Sequence, residues 1–252
     1  MTKRISVAII AHDEEATVAR ALESAAWAYE IIFVDCGSTD KTAAIAAARP
    51  KIRMFARENS LAVHVNKQFA ADRATGDWIF ILDADEVITP GLRDEILAAT
   101  AVEEGMNAYE MPRKNFYFGR WLRHGGKYPD TQLRLFRKGK AAFVARPVHE
   151  SLEVTGLTGK LSSPLEHYPY RSVQDVPRKL GFYAEGLSEN YIKSGKHPVL
   201  IFLRPFTRFI SAYLLKLGFL DGAAGFKTAL MDFFVIFASV LRFREKINRN
   251  PG

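Results

Sequence analysis

Asp83, Asp85 and Glu86 fall within four residues, directly after the apolar run Trp78-Ile79-Phe80-Ile81-Leu82. Crowded carboxylates repel one another and resist desolvation, so such a group is costly at the end of a core strand. A divalent cation reverses that cost, because Mg²⁺ or Mn²⁺ takes hard oxygen ligands and binds through one or two carboxylates together with substrate phosphates. The competing role is structural, with Asp83 and Asp85 capping the next helix. Two more acidic stretches share this setting. His12-Asp13-Glu14-Glu15 follows the apolar run from Ile5 to Ala11, and Asp35-Cys36-Gly37-Ser38-Thr39-Asp40 follows Glu30-Ile31-Ile32-Phe33-Val34.

The elements that must position these groups alternate. Five consecutive apolar residues at 78–82 read as a strand covered on both faces. Val18, Leu22, Ala25 and Ala26 recur at helical spacing, and the acids before them suit a helix amino end. Gly37 supplies a turn, and Thr39 or Asp40 caps an Ala-rich helix through Ala48. Ile52 to Phe55 is a short strand, Leu61 to Ala74 a helix, and Thr89-Pro90 opens another helix with Pro at its favoured first position. This alternation predicts a doubly wound, mostly parallel α/β sheet. Ligands bind beyond the carboxyl ends of such strands, so the three acidic stretches should meet on one rim. Neither G-x-G-x-x-G after the first strand nor G-x-x-x-x-G-K-[ST] occurs, which argues against dinucleotide dehydrogenases and P-loop NTPases.

The 252 residues suffice for one substantial core, or one core with an appendage. Cys36 is the single cysteine, so no internal disulfide or multi-cysteine zinc site forms, and a reducing cytosol is expected. The run from Ile5 to Ala11 is too short for a signal-peptide core. The net charge of +7 sits wholly in the C-terminal third: thirteen Lys and Arg face six Asp and Glu from Arg171 onward. Between Arg113 and Lys140 nine basic residues accompany one acid, Asp130. Such patches suit phosphate, nucleic acid or anionic lipid.

Val7 to Glu15, Val34 to Asp40, and Ala74-Thr75-Gly76-Asp77-Trp78 through Glu86 resemble family 2 glycosyltransferases of the GT-A fold. Tyr128-Pro129-Asp130, Leu133 to Arg137, Val148-His149-Glu150 and Gly218 to Gly222 are similar to a bacterial branch containing lipopolysaccharide-core β-1,4-glucosyltransferases. The resemblance covers nearly the whole chain. It implies an inverting, metal-dependent transfer of a hexose, with UDP-glucose as expected donor, to a lipid-linked saccharide. Within the enzyme class the alternatives are polyprenyl phosphate or a peptide side chain as acceptor. Outside it stand a basic nucleic-acid-binding module and a membrane scaffold; both leave the strand-end acids unexplained.

The resemblance also implies roles. Asp35 matches the family's base-contacting Asp, and Ala11, His12, Asp13 and Glu14 flank base and ribose. Asp83-Ala84-Asp85 matches the DxD motif that holds the metal and the ribose–diphosphate. Glu150 occupies the position of the base that deprotonates the acceptor, with Asp130 as runner-up. His167 is either a further metal or diphosphate ligand or a hydrogen-bonded structural histidine; His64 reads as packing, and Asp40 as a cap. One departure concerns the third helix, where Val65 replaces the family's frequent basic residue before Asn66. Lys67 lies one position later, about 100° round a helix, so it does not inherit that phosphate by position alone. Arg134 and Arg137 are the next phosphate candidates.

Residues 1–170 therefore read as the nucleotide-sugar-binding domain and 171–252 as an amphipathic helical region. Val199 to Leu220 is apolar but contains Arg204, Arg208 and Lys216, and a central Arg or Lys costs about 2.5–3.5 kcal/mol in a membrane span. Thr228 to Leu241 is 14 residues long and carries Asp232, whereas crossing needs about 20 apolar residues. Helices lying in the membrane interface fit both charge and apolar area. The competing arrangement packs them on the catalytic core. The expected location is the cytoplasmic face of the inner membrane, without nucleic acid as partner.

Overall fold

Strand and helix alternate through the first hundred residues, as the periodicity predicts. The computed structural model describes residues 3–60, 62–102, 105–144, 151–193 and 198–249. In order come β1 (Ile5–Ala11), α1 (Val18–Ser24), β2 (Glu30–Asp35), α2 (Thr42–Ala47), β3 (Ile52–Ala56), α3 (Val63–Arg73), β4 (Trp78–Asp83), β5 (Glu86–Ile88) and α4 (Pro90–Ala101). A strand-rich stretch follows: β6 (Met106–Tyr117), β7 (Arg120–Trp121), β8 (Asp130–Arg137), β9 (Ala141–Val144), β10 (Ser151–Val154), β11 (Leu157–Lys160) and β12 (Leu165–Tyr170). The chain closes with α5 (Asp175–Lys193), α6 (Pro198–Ile210) and α7 (Gly222–Arg249).

The described residues form two compact units. The first is built from Met1–Arg113, Thr131–Ala145 and Glu150–Tyr168, the second from Lys114–Asp130 and Pro169–Gly252. The sheet runs β3-β2-β1-β4-β8-β6-β12-β5. Its first four strands are parallel, while β8 is antiparallel to β4 and β12 to β5. The doubly wound half is thus extended by antiparallel strands that the helix–strand alternation did not announce.

Alternation along β1 sends Val7 and Ile9 to one face and Ala8 to the other. The first face packs Phe33, Phe80 and Leu82 against α1 and α4 through Val18, Leu22, Leu92 and Ile96. The second packs Ile32, Val34, Ile79 and Ile81 against Ala70 and Ala71 of α3. Phe80 is fully buried, so truncation to Ala would cost about 3–5 kcal/mol.

Glu30 ties the amino ends of the strands together. Its carboxylate accepts from the Ser6 hydroxyl at 2.7 Å, the Thr75 amide at 2.6 Å, the Thr75 hydroxyl at 2.7 Å and Arg53 at 2.9 Å. Burial alone would raise this carboxyl, but the Thr75 amide, the Ser6 and Thr75 hydroxyls and Arg53 outweigh it and bring the pKa down to about 2. The adjoining turn needs Gly76, because a Cβ there would lie 2.7 Å from the Arg4 carbonyl and the Ser6 hydroxyl.

In the second unit, β6 ends in a hairpin whose loop residues Phe118 (φ 53) and Gly119 (φ 78) are both left-handed, the geometry of a two-residue turn. Tyr191, Ile201, Val240 and Phe243 form the core of the helical part. The long apolar helix α7 has 28 residues, where the apolar run alone suggested a shorter segment between 228 and 241. It continues through Asp232 because that charge is met by Lys127 and by Arg208, both at 3.0 Å. Asp221 accepts from the His124 amide at 2.8 Å. Before α7 the backbone passes through a π-helical turn, Ser211–Leu215, and a 3₁₀ turn, Gly218–Asp221.

Candidate active site

The parallel register brings three strand ends level. Ala11 pairs with Asp35 across β1 and β2, and Ile10 pairs with Asp83 across β1 and β4. The acidic stretches therefore share one rim, where the open end of a parallel sheet receives ligands.

On the β1–β2 side most polar atoms stitch the two loops to each other. Asp13, at φ 52 in a conformation Asp tolerates, accepts from the Thr39 amide at 2.7 Å and donates its own amide to the Ser38 hydroxyl at 3.1 Å. The Glu14 amide donates to the Thr42 hydroxyl at 2.8 Å. Asp40 accepts from Thr42 N at 2.8 Å and Glu15 N at 3.0 Å, which explains it as a structural brace. His12 Nδ1 donates to the Cys36 carbonyl at 2.8 Å, leaving Nε2 3.5 Å from Asp13. Asp35 differs from all of these. Its Oδ2 accepts from the Ser38 amide at 3.2 Å, while Oδ1 is buried with no hydrogen-bond partner among the described residues. A lone buried carboxylate oxygen costs free energy until a donor meets it.

At the end of β4 the repulsion among acids is relieved by the chain's own cations. Asp83 bonds Lys67 at 2.8 Å through Oδ1 and Arg134 at 2.5 Å through Oδ2. Glu86, with no exposed surface, bonds Arg134 and Arg113, each at 2.8 Å, and accepts from the Asp83 amide at 3.0 Å. Burial would raise the Asp83 carboxyl, but Arg134 and then Lys67 hold it well below the usual carboxylate range. Asp85 stands 3.5 Å from His167 Nε2, which β12 delivers by pairing His167 with Glu86. The Tyr168 amide donates to the Asp85 carbonyl at 2.8 Å.

These positions correct several sequence expectations. Arg134 is buried and its guanidinium is spent on Asp83 and Glu86, so it does not present a free charge to a phosphate. Arg137 sits at the other end of β4: it is registered with Trp78, stacks 4.8 Å from that ring and donates to the Met106 and Val102 carbonyls. Asn66 is buried, with its amide nitrogen on Cys36 Sγ at 3.3 Å and the Glu58 carbonyl at 3.0 Å, so it braces the loop after β3. Lys67 does reach the rim, through Asp83. Ala84 is core between the two Asp residues. Asp130 belongs to the second unit, where it accepts from Asn115 at 3.0 Å. Glu150, with His149, lies outside the described residues. Sequence reasoning missed Arg113; the signal was its place in the basic run, at the far side of the strand pair that follows the acids.

Among the described residues no three His, Cys, Asp or Glu side chains are spaced to hold a metal by themselves. A divalent ion bound with a diphosphate needs only one or two protein ligands, and the partly buried Asp85–His167 pair fits that need. Asp83 has both oxygens engaged by cations, Lys67 on one and Arg134 on the other.

Comparison with known proteins agrees with this geometry. The sequence profile described as Glycosyl transferase family 2 matches residues 6–151. The chain is 30% identical over 227 residues to the lipopolysaccharide core biosynthesis glycosyltransferase LpsC of Rhizobium meliloti (strain 1021), covering 86% of this chain and 82% of that one. It is 28% identical over 270 residues to an uncharacterized glycosyltransferase of Rickettsia bellii (strain RML369-C), covering 100% of this chain and 90% of the relative. Among solved structures, the mannosyltransferase PcManGT from Pyrobaculum calidifontis, in complex with GDP-Man and Mn²⁺, superposes with a TM-score of 0.54 at 13% identity, over 98% of this chain and 88% of that one. That likeness concerns the fold. With more than half of its length inside the family profile and a relative matched along most of both chains, the protein belongs to glycosyl transferase family 2 and is a glycosyltransferase of the GT-A fold.

Proposed function

We propose that this glycosyltransferase is inverting and metal-dependent, and moves glucose from UDP-glucose to a lipid-linked saccharide of the lipopolysaccharide-core class. The observation that carries the donor assignment is the unpaired, buried Oδ1 of Asp35 on the strand-end rim. A carboxylate oxygen there accepts a hydrogen bond from a donor on the ligand. It suits a base edge that offers an N–H, such as the ring N–H of uracil or guanine. Uridine rather than guanosine, and glucose rather than another hexose, rest on the resemblance to the core glucosyltransferases.

Asp85 and His167 would hold a divalent ion, with Asp83 supporting the ribose–diphosphate side. Bound there, Mg²⁺ or Mn²⁺ supplies Lewis-acid stabilisation of the charge on the departing diphosphate. Glu150 is the proposed base and Asp130 the alternative. The acceptor hydroxyl loses its proton to that carboxylate as its oxygen bonds the anomeric carbon, and the bond from that carbon to the diphosphate oxygen breaks.

The lipid-linked acceptor is supported by the relationship to LpsC and by the surface of the second unit. Leu200, Leu203, Phe206, Ile210, Leu215 and Leu220 are each between 48 and 75% exposed. Lys216 and Lys227 lie on the same stretch of chain, so α6 and the turns after it suit the acyl–headgroup boundary. Gly218–Arg249 is long and apolar enough to cross a membrane, but Asp232 with its two cations favours α7 as a helix packed within its unit. The proposed location is the cytoplasmic face of the inner membrane.

The test is transfer of labelled sugar from a panel of UDP- and GDP-sugars to truncated lipopolysaccharide, with Mn²⁺ or with chelator. Transfer from UDP-glucose that needs the metal and fails in Glu150→Gln supports the reading. Metal-independent transfer, or full activity in Glu150→Gln, refutes the corresponding assignment.

A further inference from the structure

Three features on the hairpin of β6 and β7 are left unexplained by the rim. Trp121 is paired with Phe116 in antiparallel register, and the Leu122 amide donates to the Asn115 carbonyl at 2.9 Å. One pair further, the same register sets Lys114 opposite Arg123. Both cations reach the one indole: Lys114 Nζ lies 4.6 Å and Arg123 Cζ 4.4 Å from the Trp121 ring centroid. Like charges directly across a strand pair destabilise it, and neither residue forms an ion pair with an acid among the described residues. Cation–π attraction to the indole offsets part of the repulsion. The indole N–H is buried and likewise lacks an acceptor among the described residues. Tyr128 closes the side of the ring edge-on at 5.3 Å. Lys114, Arg123 and the Trp121 indole thus bring donors, and no acceptor of their own, to one spot.

We propose that Lys114 and Arg123, gathered on Trp121, grip an anionic group, a phosphate or carboxylate, carried by the saccharide acceptor. The proposal rests on the transferase reading for the identity of the ligand as an acceptor, but the anion site is testable apart from transfer. An oxyanion between the two cations turns their repulsion into two charge-assisted bonds. Arg120 provides an internal control. It is adjacent to Trp121 in the strand and so points to the opposite face; its removal lowers the net charge equally without touching the clamp.

The experiment uses the full chain labelled with 5-fluorotryptophan, UDP and Mn²⁺ being present to fill the donor site. The three tryptophans give three ¹⁹F resonances, and Trp121→Phe assigns the relevant one. Glucose 6-phosphate and glucuronate are the probes, with glucose, inorganic phosphate and anionic vesicles free of saccharide as comparisons. The expected result is a saturable shift of the Trp121 resonance with either acidic sugar and none with glucose. Lys114→Gln and Arg123→Gln should each weaken the apparent Kd about tenfold or more, and Arg120→Gln should change it less than twofold. The proposal is overturned by no shift, by equal loss in Arg120→Gln, by equally tight binding of inorganic phosphate (an adventitious ion only), or by a response to the vesicles alone. UDP-dependent stabilisation, measured in the same variants, stays intact if only the anion site is wrong and disappears if the transferase reading itself is wrong.

Discussion

Arg134→Gln removes the cation that bonds Asp83 and Glu86 together. Arg134 is 6% exposed, and taking one partner from a buried ion pair costs roughly 3–5 kcal/mol. Each acid keeps a second cation here, Lys67 on Asp83 and Arg113 on Glu86, both at 2.8 Å, so the loss should sit near the lower end, about 3 kcal/mol. For a domain of this size each kcal/mol moves Tm by about 2–4 °C, which predicts a drop of roughly 6–12 °C at pH 7. Acid should narrow the gap. Arg134 and Lys67 hold the Asp83 carboxyl below its unfolded value, so that stabilisation is complete above the unfolded pKa of about 3.9 and fades as pH falls below it. Calorimetric melts of wild type and variant between pH 7 and pH 2 test both parts. A Tm within 2 °C of wild type at pH 7, or a deficit that does not shrink in acid, would refute the role given to the buried cations.

Glu30→Gln should cost about 3 kcal/mol at neutral pH, since each unit of pKa depression is worth about 1.36 kcal/mol. Its folded pKa of about 2 lies below the ordinary 4.5, so this contribution is present above pH 4.5 and lost as pH falls toward 2, which urea unfolding at several pH values will show. Gly76→Ala forces a Cβ to 2.7 Å from the Arg4 carbonyl and should destabilise by about 1–3 kcal/mol, read from the urea midpoint. Leu203→Asp with Leu215→Asp should abolish flotation with anionic vesicles while leaving Tm and UDP-dependent stabilisation unchanged; retained flotation would remove α6 from the membrane contact.

The alternating half of the chain was legible because local signals agreed there: continuous apolar runs for buried strands, Thr89-Pro90 at a helix start, acids just past strand ends. The strand register then made a common rim unavoidable. The antiparallel additions were harder, since β8 carries charges that mean different things at its two ends. Arg134 turns inward to Asp83 while Arg137, three residues on, serves the opposite end of β4. Composition marks both as basic and does not say which is committed. The acidic cluster was also read as needing an external cation, because Lys67, Arg113 and Arg134 arrive from three separate elements and only the fold joins them. In the C-terminal region, hydropathy ended the last helix early; the partners that let α7 run through Asp232 come from residues 24 and 105 positions away.

On the proposed reading, the strand-end rim binds a nucleoside diphosphate through a metal held by Asp85. Calorimetric titration of UDP into wild type and Asp85→Asn, each with Mn²⁺ and with chelator, addresses it most directly. Mn²⁺ should tighten UDP binding to wild type by about tenfold or more, equivalent to about 1.4 kcal/mol, and Asp85→Asn should lose this gain while keeping the metal-free affinity. UDP binding that is indifferent to Mn²⁺, or a metal-dependent gain that survives in Asp85→Asn, would contradict it.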